Sequence, residues 1–201
     1  MSWIKIIAYE AAGAKLKRIY NRVKGPNNNI DNVLLIHSLR PHTLVGHMTL
    51  YKSVLHHSDN TLPKWYLESL GVYVSQLNKC SYCVAHHSSG LRRLINDDDK
   101  YTRFCKALEN DTLDSFFDTQ FFAGITYAKK LTLDIQKLNK SDFEPLLQAG
   151  FTEGEILEIN QVTSYFNYVN RSVLGLGANT KNDIIGLSPK ENDDPENWNH
   201  S

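Results

Sequence analysis

The stretch LESLGVYVSQLNKCSYCVAHHSSGLRR, residues 67–93, carries two of the chain's three cysteines, Cys80 and Cys83, followed at once by His86 and His87. A carboxylate, Glu68, lies twelve residues before the first cysteine. On a helix, at about 100° per residue, Cys80, Cys83 and His87 fall within roughly 60° of one another, and His86 lies about 100° round from His87. Glu68 falls well off that stripe on one unbroken helix. It reaches the thiols only if the chain bends, and Asn78-Lys79 is the expected bend. One face then carries two thiols, an imidazole and a carboxylate, which reads as an active site at the meeting of two helices.

Outward from this stretch the apolar periodicity stays helical. Ala12, Leu16, Ile19, Tyr20 and Val23 predict a helix over 11–23, ended by Gly25-Pro26-Asn27. A helix over 33–39 follows, capped by Asp31 or Asn32, and Pro41 opens another over 42–57. That second helix is part of a histidine-dense run: His37, His42, His47, His56 and His57. No carboxylate or thiol recurs there at ligand spacing, so these are expected to be partly exposed, with one in the pocket. The helix over 64–77 carries Glu68. Asp97-Asp98-Asp99 suits a solvated helix start, and Cys105, beside Phe104 and Leu108, suits the core. A helix over 118–131 is followed by Ser141-Asp142-Phe143-Glu144, which reads as a capping box before a short helix. The last long helix starts at Thr152-Glu153-Gly154-Glu155 and runs towards Leu174, carrying Asn167, Asn170 and Arg171 as packing or pocket-rim residues. No segment alternates as a strand does. The expectation is an all-α domain of about eight helices over 1–179, with an irregular tail over 180–201 laid on a partner subunit. The hydrophobic opening, Trp3 to Ile7, suits an arm packed on a neighbour.

Of 201 residues, 41% are hydrophobic, enough for a core, and 22 basic residues match 22 acidic ones. No basic stripe suggests nucleic acid. No apolar run approaches the ~18 residues of a membrane span, and Lys5, Glu10 and Lys15 interrupt any signal-peptide core. Three cysteines do not make a disulfide framework. The reading is a soluble, cytoplasmic protein of a reducing compartment with a working dithiol.

A CxxC at a helix start supports three chemistries. A redox pair cycles between dithiol and disulfide, with the helix dipole and an imidazole favouring the thiolate. Half a zinc site would need two more ligands, which His87 and Glu68 could supply. Buried thiols could also simply pack. With no second CxxC, and with His87 and Glu68 at these spacings, the redox pair is the favoured reading, without metal or cofactor.

Glu68, Cys80-Ser81-Tyr82-Cys83 and His87 resemble the active-site signature of the AhpD-like alkylhydroperoxidases of the carboxymuconolactone decarboxylase superfamily. IDNVLLIHSLRPHTLVGHMTLYKSVL, CSYCVAHH and AGFTEGEILEINQVTSYFNYVNRSVLGLG resemble its peroxidase-related branch, over residues 3–177. The resemblance implies an AhpD-like fold, a homo-oligomer and a thiol-dependent peroxidase. It implies that Cys83, the more interior thiol, attacks the hydroperoxide and becomes a sulfenic acid, and that Cys80, nearer the surface, resolves it to a disulfide. Glu68 and His87 resemble the proton relay. An external dithiol, thioredoxin-like or lipoyl, would reduce the disulfide. Some members have histidine immediately before the second cysteine, where this chain has Tyr82. A phenol with pKa about 10 is no base near neutral pH. The relay then rests on Glu68 and His87, while His86 is expected to face solvent or a subunit contact. The alternative function is a general dithiol–disulfide partner or a non-catalytic oligomeric stress-response protein.

Overall fold

The computed structural model describes residues 2–189 and 198–199. Among these the architecture is all-α, nine helices and no strand: α1 (Ala14–Val23), α2 (Asn32–Leu35), α3 (Pro41–Leu55), α4 (Lys64–Leu77), α5 (Ser81–Ile95), α6 (Asp98–Glu109), α7 (Thr119–Leu133), α8 (Glu144–Gln148) and α9 (Glu153–Leu176). The count agrees with the expected number of about eight, and the helix expected over 33–39 is the single turn α2, whose N-cap Asp31 makes no side-chain cap bond. No helix among the described residues is long and apolar enough to cross a membrane.

The centre is α4, in which every residue from Tyr66 to Ser75 is buried. A helix buried on all sides needs neighbours all round, and α5, α7 and α9 supply them. Gly71 lets α9 come close. A Cβ there would stand 2.2 Å from the Phe166 ring, so only glycine admits that ring against α4.

α4 and α5 form a helical hairpin whose turn is the expected bend. The Cys80 N–H donates to Ser75 O (2.9 Å) and the Lys79 N–H to Gln76 O (2.9 Å). Lys79 is left-handed at φ 56°. This is a Schellman motif, with a lysine where glycine is usual. The side chain of Asn78 donates to Asn167 Oδ1 and Asn170 Oδ1, both at 3.0 Å, which pins the turn to α9.

Side-chain caps hold the starts of α6, α7 and α9. Asp97 accepts from the Lys100 N–H, Asp118 from the Phe121 N–H, and Thr152 with Glu155 forms a capping box at the expected start of the last helix. The box expected at Ser141 is displaced. Asn139 and Asp142 form it instead, and the Ser141 hydroxyl donates to Asn139 Oδ1 rather than capping Glu144. Both chain ends fold back on this same chain. The Trp3 N–H donates to Leu176 O (2.8 Å), with its indole against Gly177, and Trp198 is buried beneath Arg22, whose guanidinium sits 3.6 Å from the ring centre.

Candidate active site

The four residues singled out in the sequence meet where α4 and α5 cross. Glu68 is 3% exposed, and its Oε2 lies 2.7 Å from His87 Nδ1. A carboxylate only accepts, so His87 carries its proton on Nδ1 and turns Nε2 away from Glu68. The edge of Phe166 packs on the imidazole at 4.6 Å, the contact that Gly71 permits. Glu68, Cys83 and His87 line one small cavity of about 50 Å³. Tyr51 and His47 of α3 and Tyr165 of α9 close its far side, with the two tyrosine rings stacked at 5.4 Å. Burial, then the nearby Glu68 charge, holds the Tyr51 phenol far above its ordinary pKa, so it serves as neutral wall.

The two thiols are free, and they divide one proton. Cys80 is drawn down to about 7, chiefly by the Cys83 S–H that it accepts. Burial opposes this, while the Cys83 backbone N–H, the His87 imidazole and the Asn170 amide add to it. Cys83 is pushed well above the ordinary thiol range by the same hydrogen bond, which it donates, and by burial. Above about pH 7 the pair therefore holds one negative charge, resting on Cys80.

Three expectations need correction. Cys80 is not nearer the surface: it is 0% exposed, tucked behind Cys83 by the Schellman turn, and only Cys83 meets the cavity. His86 does not face solvent. It stacks on Tyr82 at 4.6 Å and comes within 3.4 Å of Asp183, because the tail covers that face of α5. The α3 histidines are more buried than expected. His47 is the one in the pocket, but His56 is wholly buried as well. Of the two readings of Asn170, packing holds: it is fully buried, donates to Ser75 Oγ (3.1 Å) and hydrogen-bonds towards both sulfurs. Tyr82 donates its hydroxyl to Asp183 Oδ2 (2.5 Å) and accepts the Val33 N–H (3.1 Å). It acts as an anchor and not as a base.

Sequence reasoning missed Tyr51, Tyr165, Asp31 and Asp183. The His47/Tyr51 pair at i, i+4 on α3 was a usable signal for the far wall, but nothing local marks Asp183. No group of three His, Cys, Asp or Glu side chains takes up metal-binding geometry among the described residues.

Asp31, also on the cavity wall, carries a cost. Burial raises it from 3.8 to about 6, helped by the nearby Asp183 charge and opposed by His86. A folded pKa above the unfolded one means that the folded state binds the proton more tightly. Stability is then fully present below about pH 4 and lost as pH rises through about 6. Asp31→Asn is expected to stabilise the fold at pH 7.5 by about 3 kcal/mol, from roughly two pKa units, with the gain shrinking towards pH 4.5. Urea denaturation at the two pH values checks this. A variant no more stable than wild type at pH 7.5 would contradict it.

No protein-family model matches the sequence, and no curated protein matches it. Solved structures do. The fold is similar to that of an AhpD-core, peroxidase-related protein from Ralstonia eutropha JMP134, with a TM-score of 0.73, 22% identity, and coverage of 90% of this chain and 93% of that one. A peroxidase-related protein from Silicibacter sp. TM1040 matches with a TM-score of 0.71 and 21% identity over 89% and 91% of the two chains. A cysteine-to-alanine variant of the debrominase Bmp8, in complex with 2,3,4-tribromopyrrole, matches with a TM-score of 0.68 and 16% identity over 90% and 94%. The chain has the AhpD-like fold.

Proposed function

We propose that this protein is a thiol-dependent peroxidase, reducing a hydroperoxide to alcohol and water at the Cys80–Cys83 pair. The observation that carries the reading is the pairing of a dithiol that shares one proton with a Glu68–His87 couple at 2.7 Å, on the wall of one cavity. Cys83 attacks, because it is the thiol that a small molecule reaches. The proton between the sulfurs shifts to Cys80, and the Cys83 thiolate takes the terminal oxygen of ROOH. The O–O bond breaks, two electrons pass from sulfur, and Cys83 becomes a sulfenic acid. His87, protonated on Nε2 with Glu68 holding Nδ1–H, gives that proton to the departing alkoxide. Cys80 then attacks the sulfenic sulfur. Its proton passes through His87 to the leaving hydroxide, releasing water and leaving a disulfide. An external dithiol, thioredoxin-like or lipoyl, restores the pair by exchange.

Cys80 and Cys83 are 0% and 2% exposed, so in this closed arrangement only a small molecule in the cavity meets Cys83, and the reducing dithiol must wait for the site to open. That burial favours a small-molecule substrate. The deciding experiment adds one equivalent of hydroperoxide to reduced protein. Two of the three thiols should disappear, and mass spectrometry should find a Cys80–Cys83 disulfide with Cys105 still free. Retention of all three thiols would end the peroxidase reading.

A further inference from the structure

Beyond α9 the chain does not leave the molecule but crosses the mouth of the cavity. Asp183, with its side chain 2% exposed, accepts the Asn32 N–H on both oxygens (3.1 Å), the Asn32 amide on Oδ1 (2.7 Å) and the Tyr82 hydroxyl on Oδ2 (2.5 Å). Asn32 also holds the carbonyls of Asn179 (2.8 Å) and Lys181 (2.9 Å). Gly186 then lies flat on α5. Its φ is +87°, a Cβ would stand 2.4 Å from Ser89 Oγ, and Arg93 donates to its carbonyl. Gly186, Leu187 and Ser188 complete the cavity wall. Trp198, further along the chain, is buried too. Apart from the polar Asp183 side chain, only Gly186 and Pro189 of residues 180–189 are buried, so lifting the segment exposes little apolar surface.

The space of about 50 Å³ under the segment holds only a few waters at ~10–15 Å³ each. That is enough for hydrogen peroxide or the smallest alkyl hydroperoxides, and too little for an aromatic one.

We propose that residues 183–188 are a strap, latched by Asp183 to Asn32 and Tyr82, that selects substrates by size and must lift before a bulky hydroperoxide or the reducing dithiol reaches Cys83. The substrate classes rest on the peroxidase reading; the strap itself does not. The test measures alkylation of Cys83 in the full-length reduced protein by iodoacetamide and by fluorescein maleimide, read by mass spectrometry, with Cys105 as internal reference. Taking the bulky-to-small ratio cancels any change in thiolate fraction. Asp183→Ala is expected to raise that ratio at least tenfold at Cys83 and leave it unchanged at Cys105, with far-UV circular dichroism as in wild type. If Asp183→Ala fails to fold, Asn32→Ala combined with Tyr82→Phe, which removes both side-chain donors to Asp183 and leaves only the Asn32 backbone N–H, is expected to raise the ratio in the same way. A ratio within twofold of wild type in a folded variant overturns the strap. A raised ratio in a protein that consumes no peroxide supports the strap and counts only against the peroxidase reading.

Discussion

Cys83→Ser is expected to lower peroxide-dependent turnover by roughly 10³-fold or more, the scale on which losing a nucleophile falls. Serine keeps the shape and a hydrogen-bond donor to Cys80, but its oxygen neither ionises usefully nor accepts an oxygen atom from a peroxide. Cys80→Ser should behave differently. Cys83 still faces the cavity in that variant, so one equivalent of hydroperoxide is reduced in a burst. The sulfenic acid then has no thiol to condense with, and turnover stops. A sulfenic-acid trap such as dimedone should label Cys83 in that variant and give little label in wild type, while Cys105→Ser should match wild type. The pH dependence follows from the shared proton. Because the pair loses its first proton near 7, with Cys80 held there chiefly by the Cys83 S–H, wild-type oxidation should speed up as pH rises through about 7. Equal, slow peroxide consumption by wild type and Cys83→Ser would end the mechanism. A burst in Cys83→Ser and none in Cys80→Ser would reverse the two thiols' roles.

The parts of the site that could be read in the sequence are those set by local geometry. Cys80, Cys83 and His87 share a face because of the helical period, and Asn78-Lys79 could be read as the bend because asparagine tolerates the end of a helix. Glu68 followed once the bend was granted. The contacts that decide the chemistry are long-range and left no pattern. Which sulfur meets the cavity depends on how the Schellman turn tucks Cys80 behind Cys83. Asn170 reaches the sulfurs only because Asn78, ninety-two positions earlier, pins α9 to the turn. Asp183 sits in a polar segment that lacks the periodicity of a core element, yet it fixes the tail through hydrogen bonds to α2 and Tyr82. The burial of His86 follows from that tail and could not precede it. Tyr82, which in the sequence looked like a missing base, is in the structure the tail's anchor.

Glu68→Gln isolates the relay from the thiols. Glutamine keeps the volume and an oxygen to accept the His87 Nδ1–H, so the imidazole stays in place, but the negative charge 2.7 Å away is gone. In a site where Glu68 is 3% exposed, that charge is poorly replaced by solvent. The imidazolium that must protonate the alkoxide loses its counter-ion. Attack on the hydroperoxide should slow by ~10²–10³-fold, within the range of general acid catalysis. The thiols supply the control. The proton shared by Cys80 and Cys83 owes its position mainly to their own hydrogen bond, and Glu68 is not among the groups that set it. Thiolate absorbance should therefore still rise near pH 7 in the variant. Slow chemistry with an intact thiolate assigns Glu68 to proton delivery, whereas a variant that oxidises within twofold of wild type would remove Glu68 and His87 from the mechanism and leave the shared proton of the dithiol as the whole of its activation.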